Sequence, residues 1–363
     1  MKMKRRLMAV ISLILAAVSL WSLQIFSMAD EAEATVYEKL AENEDIRYMI
    51  IGDSIGRGSG AEEKELTWFA QLEELLKAKF HNSYKRVSVV QSGATAFEGI
   101  YKLQHTEHQG SIDLIFLVFG ENDRKYMTEQ DFSYFYEMLL RKAKTRYPAS
   151  EIITITESPL DNELFTNEIE RISNHYHAKN VNMRDVFKKS GLADEQLTKD
   201  LVHPNGIGYK LYAEELFTLI LSLTEANPAI ASLESPIHDA ADFSMDRKSY
   251  ARKMEGDFRY QNGFLKSSAK GSFLEYEFRG TFVGVNVLRS DEGGMLDVFI
   301  DGQYYTTLST WWPFERKRAL YAASGLPDGP HTIRFVVKGE QSLQSLLTYS
   351  SVSISSIIVP EKQ

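Results

Sequence analysis

Between residues 46 and about 223, short β-rich apolar runs alternate with longer stretches whose apolar residues recur at helical spacing. The pattern predicts strands over Arg47 to Ile51, Arg86 to Gln91, Ile112 to Phe119 and Glu151 to Thr156, with a weaker one over Asn180 to Met183. It predicts helices over Leu66 to Phe80, Glu129 to Tyr147, Glu163 to Ala178 and Ile207 to Leu223. Strands separated by helices of this length form a parallel sheet covered on both faces, since each crossover must return over the sheet. The run Ile112 to Phe119 is apolar almost throughout, as a central parallel strand must be.

The pattern then changes. Asn227-Pro228 and Ser235-Pro236 punctuate a linker-like stretch. From about Tyr260 onward there are short alternating runs: Phe273 to Phe278, Phe282 to Val287, Met295 to Ile300, Thr332 to Val337 and Val352 to Val359. Arg279-Gly280, Gly293-Gly294, Asp301-Gly302 and Pro327-Asp328-Gly329-Pro330 separate them as turn signals. Strands at this spacing without helices predict an antiparallel, jelly-roll-like β-sandwich. The expected division is an N-terminal segment over 1–34, an α/β unit over 35–228, a linker over 229–245 and an all-β unit over 246–363.

The N-terminus begins Met1-Lys2-Met3-Lys4-Arg5-Arg6 and then runs apolar from Leu7 to Phe26, which is the pattern of an export signal. Ser27-Met28-Ala29 and Ala32-Glu33-Ala34 offer small-x-small cleavage sites; an uncleaved signal anchor is the alternative, because the run is near the length of a membrane span. Either way the expected location is extracellular or at the cell surface, with membrane contact only through that segment. A net charge of -9 disfavours nucleic acid and anionic membrane surfaces as partners. The chain has no cysteine, which removes disulfides, a lipid-modified cysteine and thiolate ligation of zinc.

Four short sites fall at or near the carboxyl ends of predicted strands, where parallel sheets assemble active sites. They are Gly52-Asp53-Ser54, Ser92-Gly93-Ala94, Gly120-Glu121-Asn122-Asp123 and Asp200-Leu201-Val202-His203-Pro204. A serine hydroxyl is a weak nucleophile: it needs a histidine to take its proton and a carboxylate to orient that histidine. Asp200 and His203, three apart on a local turn, can meet each other while the second imidazole nitrogen faces Ser54. The backbone N–H groups of Ser54 and Gly93 and the Asn122 side-chain amide are the candidate oxyanion donors. Gly-Asp-Ser alone would occur by chance in roughly one of ten chains this long, so the ordered set carries the argument.

Ser54, Gly93, Asn122 and His203, with Asp200 three before the histidine, resemble the SGNH hydrolase superfamily, also called GDSL esterases and lipases. The resemblance covers roughly residues 45 to 223 and implies a three-layer α/β/α sandwich. It implies Ser54 as nucleophile, Gly93 and Asn122 as oxyanion donors, His203 as base and Asp200 as its orienter. Gly52, Asp53 and Gly120 are supporting residues, with Asp53 bracing the nucleophile loop. One departure is the glycine-rich run Gly56, Gly58 and Gly60, where many members have a polar residue after the nucleophile turn; mobility of that loop is the expected consequence.

Other features have plainer readings. His105-Thr106-Glu107-His108 and His175-Tyr176-His177 lack a third ligand at a motif spacing and read as solvated surface histidines, so neither a metal nor a cofactor is expected. Trp68 lies on a helical apolar stripe and reads as core. Asp123 reads as structural, and Arg124 and Tyr126 as substrate contacts only by their place on the loop. Trp311-Trp312-Pro313-Phe314 reads as packing or docking in preference to sugar stacking.

The expectation is an exported serine esterase acting on short-chain acyl, chiefly O-acetyl, esters of a small molecule or polysaccharide through an acyl-Ser54 intermediate. An O-acyltransferase of the same fold acting on cell-surface glycan, and a non-catalytic glycan-binding surface protein, are the alternatives.

Overall fold

The computed structural model describes residues 34–107, 110–239 and 244–361. The expected export segment with its cleavage positions, Ala34 apart, lies outside the described residues, as does His108. Among the described residues no helix is long and apolar enough to cross a membrane.

The first half contains α1 (Val36–Ala41), β1 (Ile46–Gly52), α2 (Trp68–Phe80), β2 (Tyr84–Val90), α3 (Ala96–His105), β3 (Leu114–Val118) and α4 (Glu129–Arg146). There follow β4 (Glu151–Thr156), α5 (Glu163–His175), β5 (Lys179–Asn182), α6 (Met183–Ser190), α7 (Asp194–Leu197) and α8 (Gly206–Ala226). The five strands form one parallel sheet in the order β2-β1-β3-β4-β5. The alternation of side chains along each strand divides the core in two. Met49, Ile51, Ile115 and Leu117 pack with α3, α4 and α5 on one face. Tyr48, Ile50, Phe116 and Val118 pack with α1, α2, α6 and α8 on the other. This is the three-layer α/β/α arrangement expected from the sequence.

In the second half every strand pairs antiparallel with its neighbours. It contains β6 (Met245–Lys248), β7 (Lys253–Glu255), β8 (Arg259–Gln261), β9 (Phe264–Ser267), β10 (Phe273–Arg279) and β11 (Val283–Arg289). These continue into β12 (Gly294–Ile300), β13 (Gln303–Ser309), β14 (Arg316–Ala323), β15 (Pro330–Gln341) and β16 (Val352–Pro360). One sheet runs β13-β12-β15-β10-β7 and the other β14-β11-β16-β9-β8, with β6 pairing β16. Leu274, Tyr276, Val285, Leu296, Phe335 and Ile354 fill the space between them.

Three differences from the sequence pattern have physical causes. Helix α3 carries Gly99 in its middle, a residue that argues against a helix, yet a Cβ there would lie 2.6 Å from the Phe119 ring. Its start is capped from afar, by Asp123 Oδ1 accepting from Ala96 N–H at 2.7 Å, while Thr95 makes no side-chain cap. Strands β13 and β14 carry no clean period because their faces meet different surroundings, β14 packing onto α3.

The described residues from Val36 onward belong to one compact unit, and the two halves share a core. Phe97 of α3 and Phe135 of α4 meet Phe282 and Tyr321 of the β half edge to face, with centroids 5.5–6.0 Å apart. A Cβ on Gly284 would lie 2.3 Å from Phe97, so the close approach needs glycine there. The stretch between α8 and β6 is pinned to α4: Glu137 accepts from the N–H groups of Ile237 at 2.6 Å and His238 at 2.9 Å, and from the His238 ring and the Tyr176 hydroxyl.

Burial alone would raise Glu137, but the bonds from His238, Tyr176 and the two backbone N–H groups outweigh it and bring its pKa from 4.5 to about 2. A folded value below the unfolded one means stability present above about pH 4.5 and lost as the pH falls toward 2. Glu137→Gln is expected to lower stability by on the order of 2 kcal/mol at pH 7. The difference from wild type in denaturant melts should shrink steadily below pH 4.5; a pH-independent difference would refute this role.

Candidate active site

The nucleophile turn is built on close backbone packing. Gly52 ends β1 where a Cβ would lie 3.1 Å from the Gly56 Cα and from the Val118 Cβ and carbonyl oxygen. At Gly56 the converse holds, at 2.9 Å from the Gly52 Cα. Gly58 and Gly60 take positive φ of 80° and 104°. The glycine-rich run is therefore a packing requirement of a largely buried turn. Buried Trp68 adds a further tie, its indole N–H donating to the Ile55 carbonyl at 3.0 Å.

His203 stands on the loop between α7 and α8. The bond from Lys199 N–H to the His203 carbonyl at 2.8 Å closes this loop, and Leu201 takes a left-handed φ of 63° at its tip. Asp200 Oδ1 accepts from the N–H groups of His203 at 2.8 Å and Val202 at 3.2 Å, and Oδ2 lies 2.8 Å from His203 Nδ1. The other ring nitrogen, Nε2, lies 3.0 Å from Ser54 Oγ. Burial would raise Asp200, but the bonds from His203 and Val202 outweigh it and hold its carboxyl below the ordinary range. An ionised carboxylate only accepts, so Nδ1 carries the proton and the Nε2 lone pair faces the serine hydroxyl.

The structure also brings the three candidate oxyanion donors to this sheet edge. Gly93 follows β2 with φ 72°, and Asn122 follows β3. Among the described residues neither the Ser54 nor the Gly93 N–H has an acceptor. One hydrogen of the Asn122 amide is donated to Asp53 Oδ2, which leaves the other to point elsewhere. Gly120, with φ 141°, packs where a Cβ would lie 2.7 Å from Leu160.

Asp53 does more than brace its own loop. It is fully buried, accepts from Ile55 N–H at 2.8 Å and holds the Asn122 amide. Beside it stands a second buried carboxyl, Glu157, whose Oε2 accepts from Glu121 N–H at 2.8 Å. Burial first, then the charge of Asp53, holds Glu157 well above the ordinary glutamate value. That environment favours the neutral form of Glu157 beside Asp53. Burial likewise pushes Asp123 up to about 7, against the bond it accepts from Ala96. The sequence reading missed Glu157, although a carboxylate placed directly after a buried strand on the active edge was a usable signal.

The β half also reaches this edge. Arg318 of β14, 2% exposed, makes a bidentate bridge to Glu98 of α3, 3% exposed, with Nε–Oε1 at 2.9 Å and Nη2–Oε2 at 2.7 Å. Its Nη2 also donates to the Gly93 carbonyl at 2.9 Å, fixing that peptide. Trp312 docks here, 3.6 Å from where a Gly93 Cβ would stand. Arg124 is taken up by Glu121 through two 2.8 Å bonds. His105 and His175 bond the Tyr101 and Ser235 carbonyls, and among the described residues no group of three or more potential ligands is placed to hold a metal.

Residues 50–211 match the family model described as GDSL-like Lipase/Acylhydrolase family, and residues 256–351 match Carbohydrate esterase 2 N-terminal, which here follows the α/β half. The crystal structure of a two-domain esterase active on acetylated mannans is similar over 90% of this chain and 94% of its own, with a TM-score of 0.68 and 16% identity. The same esterase co-crystallised with mannopentaose gives 0.67 over the same shares. At this identity the likeness is one of fold. An A type blood alpha-D-galactosamine galactosaminidase of Flavonifractor plautii is 30% identical over 110 residues, which are 29% of this chain and 10% of that protein. The chain thus spans about a tenth of the length of that relative.

Fold and site together define a serine hydrolase acting on esters. Its α/β half is a GDSL-like lipase/acylhydrolase domain of the SGNH kind, and the β-sandwich that follows matches the carbohydrate esterase 2 N-terminal family.

Glu98→Gln leaves the Arg318 guanidinium buried without its counter-charge and is expected to cost about 3–5 kcal/mol. The double variant Glu98→Gln with Arg318→Met should recover much of that loss in chemical denaturation. Additive losses in the two variants would show that the bridge is not the source.

Proposed function

We propose that this protein is an exported carbohydrate esterase that removes O-acetyl groups through an acyl-Ser54 intermediate. The observation that carries the reading is the unbroken relay from Asp200 through His203 to Ser54, at 2.8 and 3.0 Å, on a sheet edge that also presents Gly93 and Asn122. The carbohydrate part is supported by the match to Carbohydrate esterase 2 N-terminal and by the acetylated mannans on which the structural neighbour is active. Export is supported by the basic and then apolar N-terminus.

In this reading His203 Nε2 takes the Ser54 proton as Oγ adds to the ester carbonyl carbon, and Asp200 stabilises the imidazolium. The oxyanion forms beside the N–H groups of Ser54 and Gly93 and the free hydrogen of the Asn122 amide. Asp53 fixes that amide so that no reorganisation is needed when charge develops. Collapse breaks the bond to the sugar oxygen, which leaves with the proton from His203. Water, deprotonated by the same nitrogen, then attacks acyl-Ser54 and releases acetate.

Acetate release from a panel of acetylated polysaccharides, acetylated mannan among them, tests the reading. Ser54→Ala is expected to lower kcat by about 10⁴-fold or more. Asn122→Ala should lower it by roughly 10²–10³-fold. A Ser54→Ala protein that hydrolyses as fast as wild type would sink the proposal.

A further inference from the structure

The chain carries a net charge of -9, yet cations crowd the strand end that leads to Gly93. Four consecutive residues each accept a bond from a different basic side chain. Lys102 Nζ donates to the Val90 carbonyl at 3.1 Å, and Arg316 Nη1 to Gln91 Oε1 at 3.4 Å. Arg57 Nη1 donates to Ser92 Oγ at 3.4 Å, and Arg318 Nη2 to the Gly93 carbonyl at 2.9 Å. These charges feel one another: burial first, then Arg318, Arg316 and Arg57 push Lys102 down against the pull of Glu98.

Behind Gly93 lies a small, open-mouthed cavity of about 20 Å³, room for a terminal group of the size of a carboxylate tip, lined among others by Glu98, Tyr126, Arg289, Arg318 and Tyr321. Arg289 is 8% exposed and Arg318 2% exposed. Glu98 engages Arg318 through both its oxygens, while the bond made by Arg289 is from Nη2 to the Ser309 carbonyl at 2.9 Å. Two buried guanidiniums therefore face one carboxylate, an imbalance that is costly unless something anionic completes it. Their donors show the same deficit. Among the described residues Arg289 Nε, Arg318 Nη1 and the Trp312 indole N–H are buried without hydrogen-bond partners, and the Trp312 ring lies 6.0 Å and 5.4 Å from the two guanidinium carbons. Planar N–H forks of this kind match a carboxylate better than any neutral hydroxyl.

We propose that the cavity between Gly93, Arg289 and Arg318 is a carboxylate-binding subsite, so that the esterase takes its ester beside an acidic sugar or holds its carboxylate product there. The proposal rests on the esterase reading of Ser54 but not on turnover, because the subsite is built from residues outside the Ser54, His203 and Asp200 relay. Tyr126, just past the oxyanion asparagine and half exposed, stands where such a ligand would enter. It enters the site through that position, which the sequence reading had weighed only by its place on the loop.

Binding is measured on Ser54→Ala protein by titration calorimetry, with sodium D-glucuronate, sodium acetate and D-glucose as probes. Glucuronate is expected to bind at least tenfold more tightly than glucose. Ser54→Ala/Arg289→Gln should lose about tenfold in glucuronate affinity, and Ser54→Ala/Arg289→Lys should regain part of it; a thermal melt of each variant checks that the fold is intact. Acetate binding as well as glucuronate would identify the product as an occupant, while glucuronate alone would identify the acidic sugar. Equal affinity for glucuronate and glucose, no binding of either acid, or a folded Arg289→Gln protein with unchanged affinity would overturn the subsite. Any of these outcomes leaves the esterase reading standing if wild type releases acetate, so the two fail separately.

Discussion

The bridge between Glu98 and Arg318 is the contact on which most of the arrangement depends. It is almost wholly removed from water, and its two ends belong to a helix of the parallel half and a strand of the antiparallel half. A buried ion pair of this kind adds little net stability compared with an apolar pair, but breaking it is severe, since one charge is then left stranded. Its consequence is geometric. Glu98 fixes where α3 meets β14, and the same guanidinium then fixes the Gly93 peptide three residues past β2. The conformation of a residue at the nucleophile's edge is thus set partly from the other half of the chain.

A second constraint acts from the opposite side. Asp53, Asp123 and Glu157 are buried carboxyls within a few residues of the ends of β1, β3 and β4. Each accepts a backbone N–H from a different segment: Ile55, Ala96 and Glu121. Charge accumulates on three such groups in a dry interior only at high cost, so burial raises the pKa of all three and favours their neutral forms. What results is a hydrogen-bonded clamp with a single well-defined donor pattern. The Asn122 amide is orientated by that clamp, while the Gly93 carbonyl is orientated by Arg318.

These constraints explain what was legible in the sequence and what was not. Strands β1, β3 and β4 were readable because a parallel strand buried on both faces leaves a nearly continuous apolar run, and the Ser54, Asn122 and His203 blocks lie at their ends or on a short local turn. Asp200 and His203 were readable because three residues suffice to join them. Helix α3 was not, since its cap comes from Asp123 and its glycine answers to Phe119, both distant in sequence. Glu98 and Arg318 share that reason: each looks like an ordinary surface charge until the partner that buries it is known. Long-range pairing leaves no periodic trace.

The same physics decides how separable the β-sandwich is. A sandwich attached only through a linker would keep its own core and leave the α/β half polar where the two touch. Here Phe97 and Phe135 are fully buried against Phe282 and Tyr321, and Glu98 is buried against Arg318. Edge-to-face aromatic pairs contribute roughly 0.5–1.5 kcal/mol each beyond their burial, and several meet at this one seam. Cutting the chain before β6 would expose those rings and strand the Glu98 carboxylate. The sandwich is therefore part of the scaffold that shapes the Gly93 turn, and an esterase built this way cannot vary its β half without disturbing the edge on which Ser54 stands.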